Sequence, residues 1–199
     1  DQLAEYAGVR AEVAAITEKA MAGEVEFSEA LRQRVKLLRG LMVQQLTDCY
    51  NKKIRFNRGA RTLVRTMSFL GSSSAIVSGG FSFFADKVAS DLGFDQAYAN
   101  KLVFEGDMVS GTVKDPILGV AEKQKILQTL CDQGNIMLSE VIAVGDGAND
   151  IEMIKNAGIG VSYYGKIKLT EKANFKLHYS NLRALLYFQG IKENDFVAE

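Results

Sequence analysis

The stretch VIAVGDGANDIEMI, residues 141–154, decides the fold class of this chain. An apolar run of four residues ends abruptly in a turn of glycines and acids, and a helical pattern follows. Such a run is typical of a strand that is buried on both faces of a parallel sheet. Ligands bind at the carboxyl edge of these sheets. The stretch therefore predicts an α/β fold with Asp146, Asn149 and Asp150 at the edge where a functional site is expected.

The residues of this turn allow two interpretations. Asp-Gly and Asn-Asp are common in turns, and the carboxylate of Asp150 is placed to cap a helix that begins near Ile151. Alternatively, the two carboxylates and the amide bind a ligand. The turn by itself does not decide between these interpretations, so the decision depends on the rest of the chain.

Composition excludes several classes of function. The 199 residues are 47% hydrophobic, with 24 basic and 24 acidic side chains. This length supports one sizeable core, or a core with a small second domain. Balanced charge gives no basic field for nucleic acid or an anionic membrane, and no apolar run approaches the ~18 residues that span a bilayer. We expect a soluble, cytoplasmic protein with no nucleic-acid or membrane partner.

The cysteines and the histidine argue against several site chemistries. Cys49 and Cys131 are far apart and have no metal-ligand spacing, so two reduced, partly buried thiols are expected. His178 is the only histidine and lies in a segment predicted to be a short strand, so neither a histidine triad nor a zinc site is expected. Acid–base chemistry must then come from carboxylates.

The chain divides by pattern into a helical part and an alternating part. Up to about residue 50, apolar residues recur at spacings of three and four, which predicts helices. From residue 58 onward, helical segments alternate with short strands, which predicts a parallel sheet with right-handed crossovers. The segment EGDM, residues 105–108, is predicted to be the turn of a β-hairpin.

A glycine-rich segment, IVSGG, and one lysine extend the candidate site. Ser78, Gly79 and Gly80 follow a predicted strand, so a hydroxyl and successive amides are placed to receive phosphate oxygens. An ordinary strand-to-helix turn explains these residues equally well. Lys123 lies near the start of a helix, from which its ammonium could reach the same edge, although most such lysines are solvated. Together with the acidic turn, these groups suit the joint binding of a phosphate and a divalent cation.

At these residues the chain resembles the haloacid dehalogenase superfamily, and within it the phosphoserine phosphatase family. IVSGGF is similar to the second motif of the superfamily, Lys123 in AEKQKIL to the third, and VGDGANDIEMIKNAGIGV to the fourth. The resemblance implies a Rossmann-like parallel-sheet core with a helical cap domain and a β-hairpin. It assigns residues 1–55 to the cap and residues 56–199 to the α/β phosphatase core.

The resemblance also implies a Mg²⁺ cofactor and roles for individual residues. Asp146 is expected to be a Mg²⁺ ligand, with Asp150 holding metal-bound water or orienting the site. Asn149 is expected beside the substrate phosphate. The groups expected to bind the phosphoryl oxygens are Ser78, Gly79, Gly80 and Lys123. The expected catalytic set is Ser78, Lys123, Asp146 and Asp150.

Three residues of the cap are implied in substrate recognition. Arg34 is expected to clamp the substrate carboxylate with two hydrogen bonds, while Met21 and Phe27 close the pocket against water. From the residues alone, a helical arginine such as Arg34 is usually solvated, and Met21 and Phe27 fit the core of the cap.

The first motif of the superfamily, Asp-x-Asp-x-Thr/Val, is missing from the sequence. In the family it supplies the nucleophile and the acid that protonates the leaving alcohol. Without it the chain could bind phosphate and Mg²⁺ but could not form an aspartyl phosphate, so we expect the chain alone to be inactive. In the family the motif lies on a central strand of the sheet, so the resemblance implies a strand between those that end at Ser78 and Gly145. We therefore expect the chain to be part of a longer polypeptide, or the slot to be filled by another segment or protomer.

Three functions remain open from the sequence. The leading hypothesis is a Mg²⁺-dependent phosphomonoesterase that hydrolyses O-phospho-L-serine to serine and phosphate in serine biosynthesis. The alternative is a non-catalytic remnant that binds a phosphorylated amino acid or a partner protein without turnover. Phosphoryl transfer to another alcohol would use the same residues. A small phosphorylated amino acid is the expected partner, and the oligomeric state, monomer or homodimer, is left open.

Overall fold

Helices occupy the first quarter of the chain, and helices alternate with strands in the rest. The computed structural model describes residues 2–198, so the outermost residues of the two expected domains, 1 and 199, lie outside the described range. The helices are α1 (Gln2–Tyr6), α2 (Arg10–Ala22), α3 (Phe27–Leu37), α4 (Val43–Lys53), α5 (Ala60–Phe69), α6 (Ser82–Leu92), α7 (Val120–Gly134), α8 (Ile151–Asn156), α9 (Ile167–Thr170) and α10 (Ala184–Phe188). The strands are β1 (Ala75–Phe81), β2 (Gln96–Asn100), β3 (Leu102–Glu105), β4 (Met108–Val113), β5 (Ile142–Gly145), β6 (Ile159–Tyr163) and β7 (Phe175–Leu177). Short 3₁₀ turns cover Leu138–Glu140, Ala148–Asp150 and Glu193–Asp195.

Helices α1, α3 and α4 share one buried apolar cluster with the β-hairpin, and α2 packs on α1 and α3. Leu31 and Val35 of α3 are buried together with Leu46 of α4, because residues three and four apart share one face of a helix. The same cluster contains Val109 and Val113 of β4. The helical first quarter is therefore confirmed, and the division into a cap of residues 1–55 and a core of residues 56–199 stays a prediction.

Parallel strands form the α/β part in two separate sheets. β1 pairs with β2, and β5, β6 and β7 form a second sheet in that order. Helix α6 connects β1 to β2, and α8 connects β5 to β6, as parallel pairing requires. The predicted α/β class with parallel strands is confirmed. Among the described residues, β1 and β5 do not pair with each other.

The predicted hairpin is present. β3 and β4 pair antiparallel, and Gly106 and Asp107 connect them, as the sequence EGDM indicated. Gly106 has a φ of 59°, a backbone conformation that glycine adopts without steric cost. The hairpin also contacts α3 of the helical part, so it joins the two parts of the fold.

The structure tests the predictions for the two cysteines and the histidine. Cys49 and Cys131 are free, as predicted, but both are fully buried where partial burial was expected, and burial raises the pKa of both thiols. His178 follows β7 and does not lie within it, because β7 ends at Leu177. None of the helices between residues 2 and 198 has the length and apolar character that crossing a bilayer requires.

Candidate active site

Asp150 anchors the turn that follows β5. Its carboxylate is buried, and one oxygen, Oδ1, accepts a hydrogen bond from Lys123 Nζ at 2.6 Å. The other oxygen, Oδ2, accepts from the backbone N–H groups of Asp146 and Gly147, at 3.2 and 3.1 Å. Asp150 stands at the N-cap position of α8, but its side chain makes no capping bond. The capping interpretation is therefore wrong, and the carboxylate instead holds the turn on α7.

The last residue of β5 must be glycine for this arrangement to fit. A Cβ added to Gly145 would lie 2.5 Å from Cβ of Asp150 and 2.6 Å from its Oδ2. Both are shorter than real van der Waals contacts, and the atoms that block the space belong to a side chain held by three hydrogen bonds. The glycine-rich turn thus makes room for a buried carboxylate.

We expect Gly145→Ala to lower the free energy of unfolding by about 1–3 kcal/mol, the usual cost of overpacking. The substitution should also displace the Asp150 carboxylate from Lys123. Denaturant unfolding measures the first effect. Gly134→Ala is the matched control, since a Cβ there meets only Ile136, at 3.6 Å or more. Equal stabilities of the two variants would contradict the close packing at Gly145.

Asp146 is exposed, and it offers a free carboxylate beside the buried ion pair. Its side chain makes no hydrogen bond or ion pair with any described residue. No group of three or more His, Cys, Asp or Glu side chains within residues 2–198 forms a metal site. Mg²⁺ in proteins is often held by only one or two carboxylates and keeps several waters. Asp146 fits one ligand of such an ion, and the half-buried Asn149 lies in the same turn.

Ser78, Gly79 and Gly80 lie within β1, so their predicted position in a loop after the strand is wrong. The pairing of β1 with β2 jumps from Val77 to Phe81, so these three residues form an irregular segment of the strand. The backbone N–H of Gly80 donates to Ser78 Oγ at 3.0 Å. A serine hydroxyl and glycine amides are held close together here, which is the chemistry of an oxyanion site.

Asn100 links this segment to the start of α7, and the sequence reasoning missed it. It is 2% exposed at the end of β2. Its Nδ2 donates to the carbonyl oxygens of Gly79 and Leu118, at 3.0 and 3.4 Å, and its Oδ1 accepts from the N–H of Leu118 at 2.7 Å. Because Leu118 lies just before α7, which carries Lys123, Asn100 fixes the glycine segment relative to the lysine. Nothing in the sequence pattern singled it out, since Asn100 is one polar residue in the segment before the predicted hairpin turn.

Phe27, at the start of α3, contacts both halves of the site. An added Cβ on Gly79 and one on Gly119 would each lie 3.4 Å from its ring. Gly119 directly precedes α7, so one aromatic ring from the helical part spans the distance between β1 and α7. Met21, the other residue expected to close the pocket, is 65% exposed and does not line the cavity described below. Its role stays a prediction without a contact to support it.

Arg34 and the glycine segment line one cavity of about 460 Å³, together with Ser78. Arg34 is half-buried, and its Nε donates to the carbonyl oxygen of Ala30 at 3.2 Å. The guanidinium has no carboxylate partner among the described residues, and burial lowers its pKa. A partly desolvated cation without a counter-ion favours binding of an anion.

The predicted site residues thus fall into two groups. The buried Lys123–Asp150 pair holds the turn that carries Asp146 and Asn149, whereas Arg34 and the serine–glycine segment line a cavity that none of these four residues lines. Among the described residues, neither Asp146 nor Arg34 has an ion-pair partner. The chain belongs to the haloacid dehalogenase-like hydrolases, whose family model matches residues 1–158. The resemblance noted in the sequence is thereby confirmed.

Known relatives include phosphoserine phosphatases. The chain is 42% identical over 185 residues to the phosphoserine phosphatase of Archaeoglobus fulgidus, an alignment that covers 93% of this chain and 54% of that protein. It is 40% identical over 191 residues to the phosphoserine phosphatase of a Polaromonas species, covering 94% of this chain and 81% of the relative. A solved structure described as a phospho-aspartyl intermediate analogue of phosphoserine phosphatase matches with a TM-score of 0.86 and 36% identity, over 96% of this chain and 90% of that one.

Proposed function

We propose that this chain forms the phosphate- and metal-binding part of a Mg²⁺-dependent phosphomonoesterase that hydrolyses O-phospho-L-serine through an aspartyl phosphate, in serine biosynthesis. The observation that carries the proposal is the buried pair of Lys123 and Asp150, 2.6 Å apart, because Asp150 also holds the backbone of Asp146, whose carboxylate has no partner among the described residues. Identity near 40% to phosphoserine phosphatases over most of the chain supports the choice of substrate.

The phosphate is proposed to lie between the serine–glycine segment and Lys123. Ser78 Oγ and the backbone amides beside it donate hydrogen bonds to the phosphoryl oxygens. The ammonium of Lys123 offsets negative charge in the transition state while staying paired with Asp150. Asn149 donates from its amide to the same phosphate. Since Ser78 and Lys123 are each held by another contact before substrate binds, these two groups need little reorganisation.

The cation is proposed to be held by Asp146. A bound Mg²⁺ supplies positive charge that stabilises the phosphoryl oxygens during transfer. Asp150 keeps the backbone of Asp146 in place through its bond to the N–H group. Asp150 can hold the backbone of Asp146 with one oxygen because its other oxygen bonds Lys123.

We expect Asp146→Asn to weaken Mg²⁺ binding about 10- to 100-fold, since even outer groups around a metal contribute this much. The amide removes the negative charge and leaves the backbone contacts of the turn unchanged. Titration calorimetry with Mg²⁺ in the presence of phosphate measures the effect. Glu152→Gln, an exposed carboxylate on α8, is the control. Unchanged Mg²⁺ affinity in Asp146→Asn would remove this residue from the metal site.

The nucleophile is proposed to be an aspartate on a further strand that lies between β1 and β5. β1 and β5 each stand at one end of a separate sheet, so each has a free edge among the described residues. Helix α7 contacts both β1 and the 3₁₀ turn after β5, which keeps the two sheets near each other. A parallel strand inserted there would end beside Ser78 and Asp146, where a carboxylate could attack the phosphorus.

A complementation experiment tests the function. The chain is assayed for phosphate release from O-phospho-L-serine, alone and with a strand segment carrying Asp-x-Asp-x-Thr, taken from a phosphoserine phosphatase and joined or added to it. We expect no turnover by the chain alone and Mg²⁺-dependent turnover by the complemented protein. A chelator should abolish the activity, and a segment with the first aspartate replaced by asparagine serves as the control.

The other outcomes separate the competing functions. Turnover by the chain alone would contradict the assignment of the nucleophile to another segment. Binding of phosphoserine without turnover after complementation would indicate a binding protein. Release of less phosphate than serine when an acceptor alcohol such as homoserine is present would indicate phosphoryl transfer.

Arg34 is proposed to bind the carboxylate of the substrate, because it lines the same cavity as the phosphate-binding segment. We expect Arg34→Ala to raise the KM of the complemented protein for phosphoserine about 10- to 100-fold, since charged hydrogen bonds contribute roughly 1.5–3 kcal/mol. The KM for phosphoethanolamine, which lacks only the carboxylate, should change little. Arg32→Ala, an exposed arginine of the same helix, is the control. Equal effects on both substrates would exclude the carboxylate clamp.

A further inference from the structure

A second cavity, of about 360 Å³, lies where the connection from α4 to α5 meets the segment before α10. Three arginines and two asparagines line it: Arg58, Arg61, Arg183, Asn57 and Asn181. None of the residues that line the first cavity lines this one, so the two are distinct. The concentration of guanidinium groups marks the second cavity as a candidate anion site.

The positive charge of this cavity is not balanced by its own lining. None of the described residues that line it carries a carboxylate. The side chain of Arg58 has no hydrogen bond or ion pair within residues 2–198, and Arg61 donates only to the backbone carbonyl of Asp91, at 2.6 Å. Arg183 lies 3.8 Å from Glu193, and both side chains are exposed, so this pair is weak. Like charges that line one cavity repel each other, and an anion bound among them offsets this repulsion.

The walls of the cavity are tied together before any ligand binds. The N–H of Leu182 donates to the carbonyl oxygen of Arg58 at 3.0 Å, which joins the two segments that carry the arginines. The N–H of Arg183 donates to Asn181 Oδ1 at 2.9 Å. Gly59 has a φ of 78°, and a Cβ there would lie 2.7 Å from Cγ of Arg183, so only glycine permits this close approach.

Aromatic rings support two of the guanidinium groups. Arg61 lies over the ring of Phe56 and Arg183 over the ring of Phe196, each at 6.0 Å from the ring centroid. Contacts of this kind restrict the orientations of an arginine and leave its N–H groups available. The planar fork of N–H donors matches the oxygens of a phosphate group.

We propose that this cavity binds an oxyanion of the phosphate class, either inorganic phosphate or the phosphate group of a small ester. The second cavity is larger than a phosphate ion, so the cavity admits the ion together with water or with a small organic group. The site is separate from Ser78 and Lys123, and the proposal does not depend on the proposed catalytic function. A ligand here would bridge the α4–α5 connection and the segment before α10.

Arginine side-chain NMR tests the proposal on the whole chain. The Nε–Hε signals are assigned with single Arg→Lys variants, and inorganic phosphate is added at low ionic strength. We expect saturable shifts of the signals of Arg58, Arg61 and Arg183, with one shared dissociation constant. The signal of the exposed Arg10 should not move. Arg34 reports separately on the first cavity, so failure of one site is distinguished from failure of the other.

Variants complete the test. Arg58→Gln should weaken phosphate binding at the second cavity about 10-fold, which corresponds to one charged hydrogen bond, and Arg10→Gln should leave it unchanged. A repeat titration with glycerol phosphate identifies the source: tighter binding than phosphate favours an ester, and weaker binding favours the free ion. Shifts that do not saturate, that are equally large at Arg10, or that persist unchanged in Arg58→Gln would overturn the proposal.

Discussion

Replacing Lys123 with methionine is expected to lower the free energy of unfolding by about 3–5 kcal/mol, the usual cost of removing one partner of a buried ion pair. Asp150 is 4% exposed and Lys123 is 5% exposed, so loss of the ammonium leaves a carboxylate without a counter-charge and without water. The net stability of a domain is about 5–15 kcal/mol, so this is a large fraction of the total. Phosphate binding should weaken as well, because the ammonium that pairs with Asp150 of the acidic turn is removed.

Denaturant unfolding of three variants checks this expectation. Lys125→Met is the matched control on the same helix, where the ammonium is exposed and pairs weakly with Glu122 at 3.7 Å, so its effect should stay within about 0.5 kcal/mol. In the double variant Lys123→Met with Asp150→Asn, the amide oxygen still accepts the N–H groups of the turn, and no charge is left buried. It should therefore be more stable than Lys123→Met alone. Equal stability of the two single lysine variants would show that the pair does not anchor the turn.

Local patterns were sufficient to predict the fold class and most elements. The apolar run before Gly145 and the turn at EGDM are signals carried by neighbouring residues, and β5 and the hairpin appear where they predicted. Apolar spacing of three and four predicted the helices of the first quarter for the same reason. These predictions succeeded because each element is determined largely by its own periodicity and by the residues that end it.

The role of Asp150 could not be read from the sequence. An acid at the N-cap position of a helix is compatible with a capping role and with a buried ion pair, and only the fold shows that Lys123, 27 residues earlier, is its partner. The position of Ser78 was misjudged for a related reason. Its segment was expected after the strand, but the irregular pairing that keeps it inside β1 depends on β2, a separate strand. Contacts between segments that are far apart in the chain leave no signal in the local sequence pattern.

The hydrogen bonds of Asn100 are the clearest example of contacts between distant segments, and their loss is the second variant for which we expect a large effect on stability. Asn100→Ala is expected to lower the free energy of unfolding by about 2–5 kcal/mol, because it leaves the buried N–H of Leu118 and the carbonyl of Gly79 without their partner, at about 1–3 kcal/mol each. It should also weaken phosphate binding, since Gly79 would no longer be held at a fixed distance from α7. Thermal or denaturant unfolding and phosphate titration measure the two effects.

Hydrogen exchange at single amides distinguishes a positioning role of Asn100 from a general loss of stability. Hydrogen exchange at the amide of Leu118 should accelerate in Asn100→Ala more than exchange at Leu46 of α4, whose amide does not bond Asn100. Asn51→Ala is the control, because that exposed asparagine makes no side-chain hydrogen bond with any residue in the described part of the chain. Exchange that rises equally at both amides would mean that Asn100 contributes only to overall stability. Unchanged protection at Leu118 together with unchanged stability would mean that β2 does not hold the glycine segment on α7.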